Sequence, residues 1–303
     1  MKLAVILGGT YEMYVSVAKF FTFFEKNTTL KVSQSDRRAD VYPSYVAGDV
    51  EISFFGCYGV YANKLLARNQ EFIRDANKES VMPTADSICA KVKKYDPDIV
   101  LFFGICGNID NTVNVAHFPR IFYELYVENV FPVEFAVPRN RVSIKNIFGY
   151  TNENAVSFSV LLNASLFGFG YDEKKWSDNF SKIIGEVKEF NASDKTKQGK
   201  ELKLLLQLER RWNTVEVERI IEYWRRKKFM NYMGSLREYG SLLDMESWQV
   251  ALQCNNKPLG IMLYSSDTPA HSLDWGDIRG SIRWSTFNLT CTRLIEGAIK
   301  KYS

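Results

Sequence analysis

Apolar and polar positions along this chain fall into blocks, and the blocks alternate in type. Leu3–Leu7 is a continuous apolar run closed by Gly8-Gly9, which predicts a buried strand and a turn. An aromatic-rich helix is predicted from about Tyr11 to Glu25. Residues 28–50 mix charges with a proline and predict a loop or an edge hairpin. Glu51–Phe55 predicts a strand, Gly59–Asn69 a helix, and Pro83–Tyr95 a second helix with Thr84 as N-cap. Within Pro97–Gly104 every position from Ile99 to Phe103 is apolar, so this strand belongs in a sheet covered by helices on both faces. Near the C-terminus the pattern predicts a helix over Asp244–Cys254, a strand over Pro258–Ser266 and an amphipathic helix over Trp284–Lys300. Strands alternating with helices define an α/β class.

Composition narrows the picture. Over 303 residues, 46% are apolar and 24% charged, with 21 Phe, 16 Tyr and 6 Trp, enough for a sizeable core and incompatible with global disorder. Five dispersed cysteines lack a CxxC pair and stand beside two histidines, which argues against a Cys/His zinc site. These cysteines read as small buried side chains in a reducing compartment. No run reaches the roughly 18 apolar residues of a membrane span, and the N-terminal run is too short for a signal peptide. A soluble, cytoplasmic protein is expected.

The net charge of +4 is unevenly spread: residues 191–228 hold 11 basic and 6 acidic residues. Val217, Ile220, Ile221 and Trp224 fall at helical spacing there, and Asn213 with Glu216 resembles a capping box. The segment reads as a basic amphipathic helix ending in Arg225-Arg226-Lys227-Lys228, which suits a helix C-terminus. Nucleic-acid binding through it is the weaker alternative, and would show a steep salt dependence.

Three strand ends carry candidate chemistry. Leu7-Gly8-Gly9-Thr10-Tyr11-Glu12 is a glycine turn entering a helix, suited to a polar ligand, but without the GxGxxG spacing of a dinucleotide site. Phe103-Gly104-Ile105-Cys106-Gly107-Asn108 reads as a glycine-bracketed turn where main-chain N–H groups are open to a ligand. Asp244-Met245-Glu246-Ser247 pairs with Tyr264-Ser265-Ser266-Asp267, the latter at the end of an apolar strand, where α/β sheets place ligands. A carboxylate in such a position either caps the next helix or acts on a substrate.

These motifs, in this order, resemble the nucleoside phosphorylase and nucleosidase superfamily. The C-terminal part, with Asp244-Met245-Glu246-Ser247, Pro258-Leu259-Gly260 and Ser266-Asp267-Thr268-Pro269-Ala270-His271, is most similar to AMP nucleosidase. Val115-Ala116-His117 through Pro132 and Pro138 is similar more loosely. The resemblance covers about 1–25, 97–140 and 236–300. It implies a three-layer α/β fold with a central mixed, partly barrel-like sheet flanked by helices. The chain is then expected to be one domain over 1–303, carrying a helical, basic insertion-like segment at about 165–235.

The resemblance also implies roles. Asp267 matches the acid that donates to purine N7, Glu246 the carboxylate on the ribose 2′- and 3′-hydroxyls, and Met245 the side chain packed on the sugar. Gly104, Cys106 and Gly107 match the stretch lining the substrate. Glu12 matches a carboxylate that orients water in hydrolytic relatives, or complements its helix dipole. His271 matches the AMP nucleosidase spacing, or caps a loop. Arg283, before Trp284-Ser285-Thr286-Phe287-Asn288, matches an arginine that activates the catalytic acid, grips a 5′-phosphate, or is a surface cation. Phosphorylases carry Arg-x-Gly-Ser/Thr-x-Gly at the second strand end; here Phe102 replaces the arginine and Ile105 the hydroxyl, so an attacking phosphate would lack charge-assisted bonds. Water is the expected nucleophile.

The expected activity is cleavage of a purine nucleotide or nucleoside, AMP favoured, to free base and ribose 5-phosphate or ribose, with no metal or redox cofactor. A phosphorylase with an atypical phosphate site and an inactive nucleotide-binding homologue are the alternatives. The resemblance further implies a homo-oligomer, dimer or hexamer.

Overall fold

A computed structural model describes residues 1–8, 20–37, 39, 42–56, 85–110, 112–125, 137–158, 235–244, 246–267 and 283–303. The predicted helix at 59–69, the basic segment at 191–228 and most of the 11–25 helix lie outside them. Among the described residues eleven strands form one mixed sheet in the order β2-β3-β4-β1-β5-β10-β9-β7-β8, with β11 pairing β5 and β6. The strands are β1 Lys2–Leu7, β2 Val32–Ser35, β3 Ser44–Ala47, β4 Val50–Gly56, β5 Ile99–Asn108 and β6 Ala116–His117. They continue with β7 Ile121–Leu125, β8 Asn140–Ser143, β9 Ala155–Phe158, β10 Leu242–Asp244 and β11 Leu259–Asp267. The helices are α1 (residues 20–27), α2 Ala85–Tyr95, α3 Ser247–Cys254 and α4 Trp284–Tyr302.

The parallel centre, β4-β1-β5-β11, is buried on both faces, as the apolar runs Leu3–Leu7, Ile99–Phe103 and Ile261–Tyr264 require. Alternate residues of one strand serve opposite layers. Leu3, Val5 and Leu7 join Leu101 and Phe103 of β5 under α1 and α4, packed by Phe20, Phe24, Phe287 and Ile295. Ala4 and Ile6 join Val100 and Phe102 on the other face, under Ile88 and Val92 of α2 and Val250 and Ala251 of α3. The result is a three-layer α/β architecture with a central mixed sheet flanked by helices. On the second face the Cys254 thiol lies 3.9 Å from that of Cys89, closing α3 on α2. The four described cysteines are buried thiols.

The 28–50 stretch forms the edge of the sheet, β2 and β3 antiparallel and then β3 and β4. Gly48 (φ +58°) opens the two-residue loop between Ala47 and Val50, an angle glycine adopts without steric cost. No helix among the described residues is long and apolar enough to cross a membrane.

Two expectations need correction at the strand ends. Gly104–Asn108 is not a turn, because β5 continues to Asn108, held by β11 along one edge and by β10 at Gly107 and Asn108. Asp244 does not begin a helix. Leu242 and Leu243 are buried and paired to both β5 and β9, so this segment is a strand and α3 starts at Ser247.

Candidate active site

The register of β5 defines a crevice. β11 pairs with β5 from Val100 to Gly107 along one edge, while β1 pairs from Ile99 to Phe103 along the other. Leu243 and Asp267 both pair with Gly107, so β10 lies on the β1 edge. β1 runs parallel to β5 and β10 antiparallel. Their C-terminal ends therefore point toward each other along that edge, with Gly104, Ile105 and Cys106 between them. From the last β1 pair at Phe103 to the β10 pair at Gly107 is about 13 Å at the usual strand rise. Across Gly107, the Cα atoms of Asp267 and Leu243 stand about 10 Å apart, two strand spacings. A gap at the carboxyl ends of strands is where open α/β sheets bind ligands.

Phe102 packs beneath this gap. It is fully buried on the α2/α3 face, and its ring crosses the space where side chains of Gly8 and Gly104 would begin. A Cβ on Gly104 would lie 2.7 Å from the ring, and one on Gly8 would overlap it. These glycines thus make room for an aromatic ring. The floor of the gap is thus a buried hydrocarbon.

On the β10 side, Asp244 is 5% exposed and organises the start of α3. Its Oδ2 accepts the Ser247 N–H (2.7 Å) and the Glu246 N–H (3.3 Å). Its Oδ1 accepts hydroxyls from Ser157 (2.5 Å) and Ser247 (2.8 Å). Burial pushes the Asp244 carboxyl up from its ordinary value, against these donors, which favour its ionised form. Glu246 occupies the N-cap position of α3 and is 1% exposed.

On the β11 side, a bulge between Ser265 and Asp267 changes the register as the strand leaves β5. The buried Ser266 hydroxyl donates to the Cys106 carbonyl (3.2 Å). Asn114, at φ +59°, donates its N–H to the Ser265 carbonyl (2.7 Å). Its Oδ1 accepts the Arg283 N–H (2.8 Å) and the Tyr264 hydroxyl (3.5 Å). Arg283, exposed at the N-cap of α4, is thereby tied to β11. Burial raises the Tyr264 phenol, and the Arg283 charge pulls the other way.

A polar cluster adjoins the end of β5. His117 is 3% exposed, with Nε2 3.5 Å from the Asn108 amide nitrogen and Nδ1 3.6 Å from Glu153. Asn108 Oδ1 accepts the Asp110 N–H (2.8 Å), so its amide nitrogen faces the ring and can only donate. His117 Nε2 is then the acceptor and Nδ1 carries the proton toward Glu153. Burial lowers the His117 pKa from 6.5, partly offset by Glu153. The unfolded chain therefore takes up this proton at a higher pH than the folded chain. His117's share of stability is intact above about pH 6.5 and is lost as pH falls from there toward the folded pKa. Urea unfolding at pH 7.5 and 5.5 should show wild type losing more stability than His117→Gln, with a slope difference of at most about 1.4 kcal/mol per pH unit. Equal losses would contradict the assignment.

Of the residues singled out in the sequence, Gly104, Cys106, Gly107, Glu246 and the backbone of Asp267 converge on the crevice, and Arg283 starts the helix tied to β11. The Cys106 side chain lies in the α2/α3 core layer. Glu12, Met245 and His271 lie outside the described residues, as does the side chain of Asp267. Sequence reasoning missed Ser157 and Glu153, on and beside β9, a strand too short to register as a pattern; it quoted Asn108 within a motif but gave it no role.

No protein-family model and no curated protein matches this sequence. Among solved structures, MTAN from Chlamydia trachomatis aligns at TM-score 0.46 and 11% identity, covering 98% of each chain. Futalosine hydrolase of Helicobacter pylori aligns at 0.46 and 10%, covering 98% of each. A 5′-methylthioadenosine/S-adenosyl homocysteine nucleosidase of Campylobacter jejuni aligns at 0.42 and 12%, covering 97% of this chain and 99% of that one. At scores this low, fold and chemistry rest on the present chain's own residues.

Proposed function

We propose that this chain is an N-ribohydrolase that cleaves the glycosidic bond of a purine nucleotide or nucleoside, with AMP the leading substrate. The observation that carries the reading is the convergence of two distant motifs on Gly107: Asp267 pairs with it on one edge, and β10, leading into Glu246, pairs with it on the other. Cleavage develops a cationic sugar and an anionic purine. An acid at N7 therefore acts on charge that appears only in the transition state. Asp267 is given that role, and Glu246 accepts hydrogen bonds from the ribose 2′- and 3′-hydroxyls. Met245 packs on the sugar, and Glu12 orients the attacking water. The backbone of Gly104, Cys106 and Gly107 lines the base, Arg283 grips the 5′-phosphate, and His271 is a further substrate-binding residue.

The buried Phe102 ring beneath Gly8 and Gly104 supports water over phosphate, since a phosphate dianion there would stand on hydrocarbon. Incubation with AMP, ATP, adenosine, inosine and methylthioadenosine, followed by assay for free base, tests the reading. Base should be released at the same rate with and without phosphate. Release that requires phosphate and yields a sugar 1-phosphate would make the protein a phosphorylase. Saturable binding with no product would make it a binding protein.

A further inference from the structure

The N-cap of α3 is unusual. Helices favour Ser, Thr, Asp or Asn there, whose side chains accept the first free N–H groups. Glu246 occupies the position and makes no capping bond with its own side chain. The cap is supplied from two residues upstream by Asp244, whose Oδ2 takes the N–H groups of Glu246 and Ser247. Asp244 is in turn fixed by a strand that the motif does not include. Ser157 of β9 accepts the Trp248 N–H (2.9 Å), and its own hydrogen goes to Asp244 Oδ1. Ser157 and Ser247 hydroxyls lie 3.0 Å apart, closing a ring of buried groups across β9, β10 and α3.

Plain helix capping would need only one of these contacts. The arrangement relieves Glu246 of that duty while clamping its main chain on both sides. A buried carboxyl group is thus held in a fixed place at the start of α3, its oxygens able to accept hydrogen bonds.

We infer that Asp244 and Ser157 are positioning residues that aim Glu246 at the sugar hydroxyls; this rests on the N-ribohydrolase reading above. Neither touches substrate. Their effect passes through Glu246 and so depends on the hydroxyls that Glu246 holds.

The test compares base release from the preferred purine nucleotide and from its 2′,3′-dideoxy analogue, which lacks both hydroxyls. Wild type, Asp244→Asn and Ser157→Ala are assayed, with thermal unfolding to check folding. Each variant should lower kcat/KM for the ribosyl substrate about tenfold or more, and for the dideoxy analogue much less, so that wild-type discrimination collapses by about that factor. A fall by the same factor on both substrates, or no fall, would overturn the inference. If Asp244→Asn fails to fold, Ser157→Ala, which leaves the Asp244 carboxylate in place, decides the matter. Wild type without base release sinks the functional reading and this inference with it. Wild type that turns over with unaltered discrimination in the variants sinks the inference alone.

Discussion

Asp267→Asn should release base from AMP about 10²- to 10⁴-fold more slowly than wild type, the range a positioned general acid contributes. The amide retains the shape of the carboxyl and can donate a hydrogen bond, but it has no acidic proton to transfer as the purine leaves. Folding should be unaffected. Asp267 is the last residue of β11, and its place in the sheet is set by backbone pairing to Gly107. The informative pair of measurements is the rate of free base formation and the thermal midpoint. A large fall in the first with an unchanged second is the expected result. Release at the wild-type rate would remove Asp267 from the chemistry, and with it the main reason for placing the reaction at this strand end.

Phe102→Ala should cost about 3–5 kcal/mol of stability, as large-to-small changes at buried aromatic positions do. Phe102 is fully buried, pairs through its backbone with Ile6 of β1 and Ile261 of β11, and fills the layer between the sheet and α2/α3. Its ring also occupies the space left by Gly8 and Gly104. Two glycines can contribute nothing to fill the resulting cavity, so relaxation is limited. Urea unfolding would show the loss as a lower midpoint with an unchanged slope. An unfolding free energy within about 0.5 kcal/mol of wild type, the scatter of ordinary surface substitutions, would mean that the ring is not packed as described.

The parts of this molecule legible in the sequence are those whose signal is local. β1, β5 and β11 each carry an apolar run because both of their faces are covered, and α4 shows its buried stripe at helical spacing. The short strands β6, β9 and β10 give no comparable signal. Ala155–Phe158 and Leu242–Asp244 are strands because each finds partners distant in sequence, and three or four residues carry no period of their own. Glycine misled at Gly104–Gly107 for a physical reason. The pattern there predicts backbone freedom, whereas at Gly104 glycine provides room for the Phe102 ring within a continuing strand.

The site was legible in the same uneven way. Glu246 and Asp267 stand out because their neighbours form motifs. Their convergence could not be read, since it depends on β10 running antiparallel to β5 on the edge that β1 vacates. Ser157 and Asn108 act through partners 87 and 9 residues away, and no spacing rule connects them. Asp244 stands out in the sequence as part of a motif, but its work at the α3 cap becomes visible only once Ser157 is beside it.

The most direct test of the account is a crystal structure of Asp267→Asn with AMP. Intact AMP should lie in the crevice along Gly104–Gly107, its ribose hydroxyls on Glu246 and its purine N7 toward residue 267. AMP bound elsewhere on the molecule, or no AMP in crystals of a folded variant that soaks freely, would contradict it.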